Sequence, residues 1–165
     1  MSWSVILSIL HIVGTVLGVG GATMAELLFR QARRDQVIDP SEAPMLRISY
    51  AVMRFGMALL VVSGFGFFLL ARLSGHSEWL YEPRIWVKLI LTGIILGNAL
   101  LLQVRKIPLW LGAAVSIVSW YSALILGAWR GLEWSFWMIV TVYLLVVIMV
   151  AAIFRQSEEP RMKQP

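Results

Sequence analysis

The sequence predicts an all-α integral membrane protein, a five-transmembrane-helix antiparallel bundle with its N-terminus outside and its C-terminus cytoplasmic. Three observations carry that expectation. Hydrophobic residues make up 59% of the 165 residues and charged ones only 14%, with a mean hydropathy of +0.81. A soluble domain of this size has too much surface for its volume to hide such an apolar load, so lipid is the solvent for most of the chain. Five stretches are long enough to cross a hydrocarbon core, which takes about 20 apolar residues. Finally, Lys and Arg crowd the connections on one side, the usual mark of membrane topology.

The first span runs from about Trp3 to Phe29. "MSWS" carries no basic leader, and the apolar run behind it is too long for the core of a cleavable signal, so residues 1 onward are expected to stay as a true span. The connection "RQARRDQVIDPSEAP" is polar, holds Pro40 and Pro44, and reads as a surface loop. The second span runs from about Met45 to Leu73, and "SGHSEWLYEPR" is the other substantial loop. The third covers about Ile85 to Val104, the fourth about Leu109 to Trp129, and the fifth about Trp134 to Phe154. "RKIP" and "RGLE" are tight turns, so these last three are expected to be antiparallel neighbours. Residues 1–156 then form the five-helix transmembrane domain, and residues 157–165 a polar C-terminal tail that frays.

Orientation follows from the basic residues. Arg30, Arg33, Arg34, Arg47, Arg105, Lys106, Arg155, Arg161 and Lys163 fall on one side, nine against the four of Arg72, Arg84, Lys88 and Arg130. The richer side is cytoplasmic. Trp3, Trp79, Trp86, Trp129, Trp134 and Trp137 gather at the outer interface, where amphipathic rings anchor. The net charge of +5 belongs to this topology and not to nucleic-acid binding. The chain has no cysteine, which excludes disulfides, iron–sulfur clusters, thiolate metal sites and cysteine nucleophiles. There is no dinucleotide fingerprint, P-loop, zinc-protease motif or serine elbow.

Polar residues inside spans carry what functional signal there is, because ionisable groups in lipid are costly. His11 lies about 12 Å inside the first span at 1.5 Å per residue. Gly14, Thr15, Gly18, Gly21, Ala22 and Ala25 lie on or near its face. One reading is close helix packing on Gly-xxx-Gly spacing, with a neutral imidazole bonding across helices. The other is a flat cofactor on the small-residue stripe with an imidazole nitrogen on its metal, and haem b suits that description. Met57 and Tyr121, each twelve residues into its span, reach the depth of His11. Met57 is then a candidate second ligand or plain packing filler, and Tyr121 a ligand or a hydrogen-bond donor. Lys88, one turn inside the third span, either snorkels to headgroups or meets an anionic group such as a haem propionate. Glu26 and Arg54 are expected to pair and join the first two spans. Asn98 is expected to bond a neighbouring helix, and Ser116, Ser119, Trp120, Ala123 and Gly127 to share one packing face. His76 sits in the outer loop.

"LHIVGTVLGVGGATMAELLF", "SYAVMRFGMALLVVSGFGFFL" and "PRIWVKLILTGIILGNALL" resemble the copper-resistance CopD-type membrane domain. They also resemble the HemJ-type protoporphyrinogen oxidase, with a first-helix His and a third-helix Lys. The likeness spans roughly residues 8–104. It implies haem or porphyrin near His11 and Lys88. Two features depart from the HemJ-type pattern: Gly97-Asn98 stands where that pattern has Tyr-His, and a fifth span is present. A CopD-type role implies copper, with His11, Met24, Met53 and Met57 as the available soft ligands. The expectation is thus a multi-pass protein of a bacterial inner membrane that holds haem b or a porphyrin in its outer half, for electron transfer or porphyrin oxidation. His11 is its metal ligand, and Gly14 and Gly18 are its cofactor shelf. It implies a lipid bilayer, with a redox partner, a membrane complex or an oligomer as further company. Its rival is a copper carrier or a non-catalytic scaffold.

Overall fold

The structure, a computed structural model, describes residues 2–32, 40, 42–75, 81–129 and 133–156. The described residues hold no strand; they form α1 (Trp3–Ala32), α2 (Glu42–Leu73), α3 (Pro83–Gln103), α4 (Leu109–Ala128) and α5 (Phe136–Gln156). All five are long and apolar enough to cross a membrane. Their bounds follow the five expected spans, with one systematic difference. α1 runs past Phe29 and α2 starts ahead of Met45, so both take residues from the expected loop. Pro44 does not prevent this, because the first-turn N–H groups of a helix have no intrahelical partner to lose.

Serine and threonine inside these helices turn their hydroxyls onto their own backbone. Ser8, Thr15, Thr23, Ser49, Thr92 and Ser119 each donate to the carbonyl four residues earlier, at 2.6–3.0 Å. On an apolar helix the carbonyl one turn back is the acceptor nearest to hand, and the helix itself satisfies them.

The chain divides into two compact units, Met1–Leu80 and Tyr81–Pro165. The first is the α1–α2 pair. A Cβ built on Gly56 of α2 would lie 2.7 Å from the Gly18 nitrogen and 2.8 Å from the Gly14 oxygen of α1. One on Gly21 would lie 3.0 Å from both the nitrogen and the Cβ of Met53. The two backbones therefore touch directly, and glycine is what permits it. Moving seven residues forward along α1, from Gly14 to Gly21, moves about the same distance back along α2, which sets an antiparallel register.

The second unit is made of α3, α4 and α5. Here side chains make the contacts. Val87, Leu91, Leu126 and Ile139 form a buried cluster, flanked by Ala123, Phe136 and Tyr143. Two hydrogen bonds tie the helices. Asn98 Nδ2 donates to the Gly112 carbonyl at 2.8 Å, as expected for an asparagine in a span. Ser119 Oγ and Tyr143 Oη lie 2.8 Å apart. Since the serine proton already goes to the Val115 carbonyl, the phenol is the donor. Between α3 and α4 the chain turns on Arg105, at φ 55°, with Lys106 N donating to the Leu101 oxygen and Arg105 N to the Leu102 oxygen. That is a Schellman ending, built on an arginine where glycine is usual.

Candidate functional site

His11 faces α2 from the first third of α1, half-buried. Its Nδ1 lies 2.9 Å from Ser63 Oγ, a side chain with no solvent exposure. Ser63 Oγ also sits 2.6 Å from the Leu59 carbonyl, which can only accept. The hydroxyl has one proton, so it goes to Leu59 and the imidazole Nδ1–H donates to Ser63. In the neutral ring Nε2 is then the nitrogen with the lone pair. The Phe67 ring stands edge-on to the imidazole, at 5.9 Å between centroids and 75° between planes. A hydrogen bond and an aromatic contact thus hold the ring in one orientation.

The glycines beside His11 have a different neighbour from the expected one. Gly14 and Gly18 lie against Gly56, and a Cβ on Gly14 would also come within 3.0 Å of Leu59 and Leu60. The small-residue stripe is occupied by the α2 backbone, so a macrocycle does not fit on that face. The residue level with His11 on α2 is Ser63. Met57 is buried, six residues closer to the start of α2, about 9 Å along the axis. Met53 packs on Gly21, and Met24 is exposed.

Glu26 and Arg54 each take another partner. Glu26 Oε1 receives Arg30 Nε at 2.7 Å, one turn along its own helix. Arg54 Nε donates to the Tyr50 carbonyl at 3.2 Å. The register explains the difference. With Gly21 against Met53, the level of Glu26 on α2 is near residue 48, about 9 Å from Arg54 along the axis.

Lys88 and Tyr121 belong to the second unit. Lys88 is half-buried in the second turn of α3, and its carbonyl accepts the Thr92 hydroxyl at 2.9 Å. Tyr121 is exposed on α4 next to Trp120. The Trp120 side chain is fully buried, and its indole N–H has no hydrogen-bond partner among the described residues. His76 lies outside the described residues.

Sequence reading missed Ser63 and Phe67 as the partners of His11. The available signal was a serine within an otherwise apolar run of α2. Among the described residues no three His, Cys, Asp or Glu side chains gather. A bare ion held by protein side chains needs several such donors. A porphyrin brings four nitrogens of its own and asks the chain for one or two. A single imidazole such as His11 is a donor that either kind of site can use. Compared with family models, curated proteins and solved structures, the chain matches none.

Proposed function

We propose that this chain is a multi-pass protein of a bacterial inner membrane, its N-terminus outside, that binds haem b or a related porphyrin through His11 for electron transfer or porphyrin oxidation. The observation that carries the reading is the Ser63–His11 hydrogen bond. Metal-ligating histidines are commonly held this way, with one ring N–H fixed by an oxygen so that the other nitrogen faces the metal as a base. Ser63 is the orienting group and Phe67 limits ring rotation. When bound, a haem would supply one-electron chemistry. The chain's part is to present Nε2 in an apolar span. The Gly14–Gly18 face takes no part, since α2 fills it.

The glycine seam favours a second reading, a non-catalytic helix bundle. In it the His11–Ser63 bond is interhelical glue and the protein serves as a scaffold or copper carrier. A visible spectrum of the detergent-purified protein, supplied with haem, separates the two. The first reading expects a Soret band that disappears in His11→Ala. A colourless wild type, or a band unchanged in that variant, would favour the second.

A further inference from the structure

The helices of the first unit are longer than a bilayer needs. α2 has 32 residues, about 48 Å at 1.5 Å per residue, against a hydrocarbon core of ~30 Å. Even a helix tilted by ~40°, the steep end of what is seen, crosses that core in about 39 Å. Part of α2 must therefore stand outside the hydrocarbon. The charges say which part. From Phe55 to Ala71 the helix carries 17 residues without a charge, bracketed by Arg54 and Arg72. Those 17 residues rise about 26 Å, slightly less than the core, so Arg54 and Arg72 sit just inside its two edges with their long side chains reaching out, and the turns ahead of Arg54 project beyond it. By the same register, Glu26 and Arg30 of α1 lie on the projecting side, so their ion pair stands clear of the hydrocarbon.

Arg47, Tyr50 and Arg54 fall on one face of α2 at that boundary, three and four residues apart, and all three are exposed. The Arg54 side chain is folded back toward the start of the helix by its Nε bond to the Tyr50 carbonyl, which brings the guanidinium nearer Arg47. Four N–H groups on its two Nη atoms remain for another acceptor. Neither arginine joins an ion pair among the described residues. Of the acids on these two helices, Glu26 is held by Arg30, and Glu42 lies five residues before Arg47 on another face.

We propose that the Arg47–Tyr50–Arg54 face binds the phosphate of an anionic phospholipid. Phosphodiesters are the abundant anions at this depth, and a guanidinium fork matches two phosphate oxygens at once. Tyr50 supplies an aromatic ring at the headgroup level, on the same face as the two arginines.

The test uses the whole chain, delipidated in neutral detergent. It is titrated with phosphatidylglycerol, with phosphatidylcholine of the same acyl chains, and with inorganic phosphate. Lipid retention is read by native mass spectrometry and the unfolding midpoint by thermal melting. Phosphatidylglycerol is expected to stay bound and to raise the midpoint, while the other two do not. Arg47→Gln/Arg54→Gln is expected to weaken its retention on the order of tenfold. The control pair Arg105→Gln/Lys106→Gln leaves it unchanged. Equal stabilisation by inorganic phosphate would overturn the lipid assignment, and an unchanged affinity in the double variant would overturn the site. If that variant does not fold, Arg47→Gln alone decides: it sits on the projecting turns, and unaltered retention in it rejects the proposal.

Discussion

In the α1–α2 pair the contact is backbone on backbone. In α3, α4 and α5 it is side chain on side chain. Gly14, Gly18 and Gly21 bring α1 so close to Gly56 and Met53 that no Cβ fits at Gly56. In the second unit Gly93, Gly97 and Gly127 have open space around the missing Cβ, and Val87, Leu91, Leu126 and Ile139 make the contact. The reason for the contrast is that lipid gives helices no hydrophobic reason to associate. Association then comes from close van der Waals approach or from buried hydrogen bonds. The first unit relies mainly on close approach, with His11–Ser63 as its polar tie. The second relies on Asn98, Ser119 and Tyr143.

The difference can be broken most sharply at Gly56. Gly56→Leu places carbon into the backbone of α1 and is expected to cost roughly 3 kcal/mol or more, separating α1 from α2. Thermal unfolding in detergent should show it, and a wild-type midpoint would contradict the seam. Asn98→Ala is expected to cost about 1–2 kcal/mol, because the Gly112 carbonyl is left with one partner fewer in a buried site. Chemical denaturation followed by Trp fluorescence can measure that. Ser63→Ala removes the hydrogen bond between Ser63 and His11 and should cost about 1 kcal/mol. A full loss of folding there would mean that the seam depends on polar contacts after all. Gly112→Ala meets only the flexible end of Leu102, so a cost of about 1 kcal/mol is expected, well below that at Gly56. The smallest effect is a gain. Arg105→Gly relieves a left-handed residue and should stabilise the α3–α4 turn by up to roughly 1 kcal/mol, seen as a raised midpoint.

The helices were legible because each span is a sum over its own residues. Thirty letters around His11, or twenty around Ser119, are enough to show a segment that prefers lipid. The glycine stripe on α1 was legible too, and so was the need for a partner at Asn98. What could not be read was which surface lies on the stripe. Gly14 and Gly18 look the same whether a ring or a helix covers them. The choice fell to α2 because Gly56 offers the matching notch 42 residues away from Gly14. The partner of Glu26 escaped for a similar reason. Placing both residues in the same half of the first two spans put Arg54 near it. The glycine contact then set a register that moved Arg54 away and left Arg30, a turn along the same helix, as the nearby cation.

Sequence alone therefore determined the number of helices, their approximate ends and the polar residues they carry, since transfer into lipid is decided residue by residue. Tertiary structure decided the register of α1 on α2, the Ser63 bond that sets the His11 tautomer, and the exposure of Arg47 and Arg54. Those depend on how two helix faces meet, and a meeting of faces is a property of pairs distant in the chain.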